Sequence, residues 1–210
     1  MRGLALRQAR GRAPATPLTP VRVAGRAAEN IGLAAIIGGN LFARAGMHPA
    51  LAEVSDPTER GKVVNTAWRR YGKIESLSLT ALVTGWAVSR RAEADRASRS
   101  ERERNLETAR DAAVVAVAVT GVAAAIQGMR FSVMEPGGAI PLEDGSKAAE
   151  GASLEESRAK GRLNRLGAVH LVSALTLAGL NAALSQAGAT PTQHGQPCRR
   201  CRCRRRCRRR

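Results

Sequence analysis

Four stretches free of Asp, Glu, Lys and Arg, and rich in Ala, Val, Leu and Gly, alternate with arginine-rich segments along this chain: Ile31–Ala43, Ser76–Ser89, Ala112–Met129 and Leu166–Thr190. The last two, at 18 and 25 residues, match the ~20 apolar residues that a membrane crossing needs. The first two reach that length only if extended through Arg44 or Glu75. Their regular repetition predicts one object, an all-α, up-down, four-helix transmembrane bundle whose long helices project from the bilayer.

Composition bears on the environment of that bundle. The chain has 210 residues and only five aromatic ones, Phe42, Trp68, Tyr71, Trp86 and Phe131. A water-soluble core of this size would need more large side chains, because burial returns only about 25 cal/mol per Å² and Ala contributes little area. Ala and Gly suit helices packed closely in lipid, where backbone approach replaces hydrophobic drive. Mean hydropathy is nevertheless only −0.22, because the 34 basic residues crowd the ends and loops.

Local signals place the helices. Asp56-Pro57-Thr58-Glu59 combines an N-cap, a first-position proline and an acidic third residue. Ser98-Arg99-Ser100-Glu101 and Ser153-Leu154-Glu155-Glu156 read as capping boxes. Pro49 punctuates the first helix, and Pro136-Gly137-Gly138 the third. The helices are therefore expected over about 24–52, 57–96, 100–133 and 154–187, with an irregular 134–153 link. Residues 27–187 form the membrane domain, between a basic disordered leader (1–26) and a disordered Cys/Arg-rich tail (188–210).

Charge sets the orientation. The leader, the 90–110 connection and the tail together carry 22 Lys and Arg, against 12 in the two opposite connections. The positive-inside rule then predicts a multi-pass inner-membrane protein of a bacterium with both termini cytoplasmic. Without an apolar core of signal-peptide length, the leader does not read as a cleavable signal. The tail places Cys198, Cys201, Cys203 and Cys207 among arginines. Cys201-Arg202-Cys203 is too tight for a usual zinc knuckle, and the run reads as low-complexity sequence with generic affinity for phosphate. The partners expected are membrane lipid, anionic lipid at the basic ends, and a second copy of the chain; no specific nucleic acid is expected.

Polar residues in the apolar stretches carry the functional reading. Asn40, Arg44 and His48 fall at i, i+4 and i+8, one stripe of the first helix. Glu75 opens the apolar part of the second. Thr120 and Gln127 share a face of the third, followed by Arg130. His170, Ser173, Asn181 and Ser185 fall on one stripe of the fourth. Alternating helix directions then gather Arg44, His48, Glu75, Gln127, Arg130 and His170 in the half-bundle away from the termini. Ionisable groups at membrane depth cost ~2.5–3.5 kcal/mol each and default to functional candidates. His48, Glu75 and His170 are the candidate catalytic residues, with Arg44, Gln127 and Arg130 as candidate substrate-binding residues. A carboxylate beside two imidazoles is expected to raise the pKa of at least one. The bland alternative is structural: arginines snorkel to the interface, and amides and histidine tie helices together. His48, His170 and Glu75 could also be read as a ligand trio, but no metal is expected. No phosphate loop, nucleophile–base motif or HExxH occurs, and no cofactor is expected.

Ile31-Gly32-Leu33, Gly38-Gly39-Asn40, Met47-His48-Pro49-Ala50-Leu51, Trp68-Arg69-Arg70-Tyr71 and Arg162–His170 with Ser173 together resemble the small four-pass membrane proteins related to anthrone oxygenases. The resemblance covers about residues 27–187. It implies a four-helix membrane fold and a cofactor-free oxidation of an aromatic polyketide. The alternatives are a membrane protein of structural or interaction role without catalysis, and a soluble Ala-rich bundle with a nucleic-acid-binding tail.

Overall fold

The computed structural model describes residues 20–92, 100–133 and 140–189. Among these residues the chain is all-helical and without strands. Helix α1 spans Pro20–Phe42, α2 Pro57–Ala92, α3 Glu101–Ser132 and α4 Leu154–Ala189. Helix α1 begins ahead of the expected residue 24, at Pro20, a residue suited to a first helical turn. Residues 1–19 and the cysteine-bearing tail lie outside the described residues.

The helix starts follow from local chemistry. Asp56 Oδ1 accepts from the Thr58 amide at 2.8 Å, ahead of Pro57 in the first turn of α2. A reciprocal capping box opens α3, but between Ser100 and Glu103 rather than from Ser98. Ser153 and Glu156 cap α4 in the same way: the Ser153 amide donates to Glu156 Oε2 at 2.6 Å and the Glu156 amide to Ser153 Oγ at 3.3 Å. The end of α1 departs from the expected regular helix. Ala43–Met47 forms a π turn, followed by one helical turn at His48–Ala50 and a 3₁₀ turn at Leu51–Glu53. Pro49 has no N–H to give residue 45 and its ring crowds that carbonyl, so the backbone widens just before it.

The four helices run up, down, up, down, with α1 packed closely along α2 and α3 along α4. Along the first pair, Gly25, Gly32 and Gly39 recur every seven residues, about two turns, and so stay on one face. They meet Gly85, Ser78 and Tyr71, which step by the same seven in the opposite direction. A Cβ at Gly32 would lie 2.3 Å from the Ser78 carbonyl oxygen, and one at Gly85 2.5 Å from that of Gly25. Only glycine permits this approach. A central core of Leu33, Ile36, Leu82, Val114, Val117 and Leu177 draws on all four helices.

Among the described residues, helices α3 and α4 are the two that are long and apolar enough to cross a membrane. Only 22% and 17% of their apolar windows are buried inside the bundle. Val115, Val119, Val122, Ile126 and Met129 follow helical spacing and form a continuous exposed apolar stripe down α3. Helices α1 and α2 do not meet the same test of length and apolarity, so they span only if their charged flanks are included.

The link to α4 is more ordered than its composition predicts. Ile140 and Leu142 are fully buried with Leu51, Val64 and Phe131 in a second apolar cluster at the end of the bundle away from the termini. Arg60 ties this loop to the connection between α1 and α2, donating to the carbonyls of Glu143 (2.5 Å) and Val54 (2.5 Å). The Gly145 amide donates to the His48 carbonyl at 3.1 Å. A Cβ at Gly145 would lie 2.6 Å from His48 Cα, so the loop seats directly on the turn that ends α1.

Candidate functional site

Beneath that loop lies a cavity of about 860 Å³ between all four helices. Its volume comes from the residues α3 presents to it. Gly121, Ala124, Ala125 and Gly128 line it, and each leaves space that a larger side chain would fill. The opposing walls carry Arg44, His48, Trp68, Glu75, Lys160 and His170.

The central contact is between Glu75 of α2 and His170 of α4. His170 Nε2 lies 2.9 Å from Glu75 Oε1, and its Nδ1 lies 3.0 Å from Thr120 Oγ1 of α3. The Thr120 hydroxyl stands 2.6 Å from the Ala116 carbonyl oxygen, to which it donates. It therefore accepts from Nδ1–H, and the His170–Glu75 contact holds one proton between a nitrogen and an oxygen. Gly121 makes room for the ring: a Cβ there would stand 3.0 Å from His170 Cε1. Glu75 Oε2 is buried without a hydrogen-bond partner of its own, with the Tyr71 hydroxyl beside the carboxylate.

His48 shares the cavity but does not touch that pair. Its ring packs 6.1 Å from Trp68, which meets Tyr71 edge-on at 5.7 Å. Tyr71 donates its hydroxyl to the Ala35 carbonyl at 2.9 Å, wedged where Gly39 supplies no side chain. His48 Nε2 is buried and unpartnered. At His48 the pKa falls rather than rises. Burial first, then the charges of Lys160 and Arg44, lower His48 to about 4 against the opposing pull of Asp144. Among the described residues, His48, Glu75 and His170 do not close into a metal-binding group.

Arg44 lines the cavity at its rim, where its guanidinium donates to the Asn164 carbonyl at 3.3 Å. Two other expected residues do not join it. Gln127 and Arg130 lie off the row of small residues that α3 turns inward; Gln127 is half-buried and Arg130 exposed, and neither lines the cavity. Ser173 also faces outward, bonded to its own helix at the Val169 carbonyl.

Lys160 carried no signal in the sequence, where it reads as one more loop-proximal cation. It is 3% exposed, one turn before Asn164 on α4, with its ammonium 5.7 Å above the Phe131 ring. Burial lowers its pKa to about 8, opposed by Asp144. Asp144 makes no ion pair with it. Burial pushes the Asp144 carboxyl up, but the Ser146 hydroxyl and the amides of Ser146 and Lys147 more than offset that and hold it low.

A second polar cluster occupies the terminal half. Glu29 and Arg110, both fully buried, pair at 2.5 Å. Asn181 bridges them, accepting from Arg110 Nε at 2.9 Å and donating to Glu29 Oε1 at 3.2 Å. The neighbouring Asp111 accepts from Trp86 Nε1 at 2.8 Å and pairs with Arg90. Polar residues thus occupy both halves of the bundle, not only the one away from the termini. The signal for this cluster was the Arg110-Asp111 dipeptide directly before the third apolar stretch. Comparison of the chain with protein-family models, with curated protein sequences and with solved structures gives no match.

Proposed function

We propose that this is a multi-pass integral protein of a bacterial inner membrane, with both termini cytoplasmic, whose cavity oxidises an aromatic substrate without a cofactor. The single observation that carries the catalytic part is the Glu75–His170–Thr120 chain opening on an 860 Å³ cavity with Glu75 Oε2 unpartnered. The exposed stripe from Val115 to Met129 supports the membrane part, since a soluble bundle would leave that stripe in water. The substrate class comes from the resemblance to anthrone-oxygenase relatives in Ile31–Leu33, Gly38–Asn40, Met47–Leu51, Trp68–Tyr71 and Arg162–His170 with Ser173.

The chemistry follows from the proton inventory. An activated ring CH₂ or phenol yields a proton to the carboxylate–imidazole pair, and the oxyanion that forms stays beside the protonated imidazole. The electron-rich anion then reduces dioxygen directly. In net terms the CH₂ loses both hydrogens, one oxygen atom becomes the new carbonyl and the other leaves as water. Lipid is the standing partner, with anionic headgroups at the basic ends.

The exposed α3 stripe also suits a purely structural protein that pairs with a second copy, so the test is made on membranes. The chain should stay in the carbonate-washed pellet, and that pellet should consume dioxygen when given a hydroxylated anthrone. Glu75→Gln should slow uptake at least hundredfold, the scale of lost general-base catalysis. Recovery in the soluble fraction sinks the membrane reading. Retention without dioxygen uptake sinks the oxidation and leaves the structural role.

A further inference from the structure

We infer that the cavity takes an organic anion, an aromatic carboxylate whose charged end is held by Lys160, Arg44 and His48 at the loop end of the site. This names the substrate class of the site proposed above and rests on that reading.

Three features converge on one end of the cavity. Lys160 is buried, lines the cavity and has no carboxylate within 4.0 Å among the described residues; the Phe131 ring is its only marked partner. A buried ammonium with no carboxylate in contact is costly, and an incoming anion lowers that cost. Arg44 adds a second cation, fixed at the rim by the Asn164 carbonyl. His48 Nε2 is buried and unsatisfied, and as a neutral imidazole can present an N–H to an oxygen. Asp144 is the acid that would otherwise compensate. Its Oδ1 instead accepts from the Ser146 and Lys147 amides of its own loop.

The distance along α4 sets the ligand's length. Lys160 and His170 are ten residues apart, which is ~15 Å of helix rise. Allowing about 3 Å at each end for a hydrogen bond leaves a body of roughly 9 Å. That fits two to three fused rings, with an acidic proton at the Glu75–His170 end and a carboxylate at the Lys160 end. Trp68, Leu163, Ala124 and Ala125 supply the apolar walls between.

The probe is 6-hydroxy-2-naphthoate, compared with its neutral analogue 6-hydroxymethyl-2-naphthol, titrated calorimetrically into the full chain in neutral-lipid nanodiscs. The carboxylate should bind at least tenfold more tightly. Lys160→Met should remove that preference while leaving the neutral probe within twofold, and Lys160→Arg should retain it. If Lys160→Met does not fold, Arg44→Gln should narrow the preference in the same direction. Equal binding of both probes to the native chain overturns the anion site and leaves the aromatic cavity standing. Binding of neither overturns both.

Discussion

The two halves of the bundle use the same residue types to opposite ends. In the terminal half each carboxylate oxygen of Glu29 and of Asp111 has a partner, supplied by Arg110, Asn181, Trp86 and Arg90. Helices α1 and α2 also touch backbone to backbone there, at Gly25 and Gly85. In the other half Glu75 keeps one oxygen open, His48 keeps one nitrogen open, and the helices stand apart around 860 Å³. The difference is not polarity. It lies in what faces the carboxylates: in the terminal half each oxygen meets a matched donor, although Arg110 Nη1 beside them is buried without a partner, and in the other half a row of small residues on α3 faces the cavity.

This contrast makes the terminal half the structural one, which mutation can break. Glu29→Ala strands the Arg110 guanidinium in a buried site and should destabilise the bundle by about 3–5 kcal/mol. Glu75→Gln, whose group already has an open side, should change stability by less than about 1 kcal/mol, near the net worth of one hydrogen bond. Chemical unfolding in detergent followed by circular dichroism measures both; equal losses would erase the distinction between the halves.

A smaller effect tests what holds the cavity half open. A Cβ at Gly39 would stand 1.8 Å from the Tyr71 hydroxyl, which is itself anchored on Ala35. Gly39→Ala should therefore cost about 1–3 kcal/mol, the usual range for overpacking. Gly38→Ala, with nothing within 4 Å of its Cβ, should be neutral or slightly stabilising by the same measurement.

The smallest effect is a pH dependence confined to the cavity half. His48 has a folded pKa near 4, below the ordinary 6.5, so between these values the unfolded chain binds more protons than the folded one. Its contribution to stability is complete above pH 6.5 and is lost as pH falls towards 4. Melting temperatures of native protein and His48→Asn should thus converge over that interval. A constant gap from pH 7 to 4 would show that the His48 ring is not the group that titrates.

What was legible in the sequence follows the range of the interactions. Helix starts at Asp56 and Ser153 depend on residues two or three apart, and the pattern of hydroxyl, proline and glutamate states them almost directly; at α3 the same kind of box forms two residues later than read, at Ser100. The gathering of Arg44, His48, Glu75 and His170 in one half needed only alternating helix directions. Rotation of each helix about its own axis was not legible. Gln127 and Arg130 sit at the right height on α3 but on the wrong face, because Gly121, Ala124 and Gly128 claim the inward row. Lys160 and the Glu29–Arg110 pair were hidden for the same reason: their meaning comes from what lies opposite them on another part of the chain, 81 residues away for Arg110 and Glu29.

The glycine seam between α1 and α2 carries an ambiguity of its own making. A ladder with equal rungs can be climbed by one rung without changing its fit. Gly32 lies seven residues before Gly39, so Tyr71 would find a glycine opposite it after a slide of one step, and Ser78 would find one at Gly25 or Gly39. Close packing alone cannot choose among those alignments. The adjacent residues Arg110 and Asp111 can, because one grips Glu29 on α1 while the other grips Trp86 and Arg90 on α2. A slide of one rung, seven residues or ~10 Å, would pull both grips apart at once. Two neighbouring side chains on a third helix thus act as the key that gives a repetitive lock a single position.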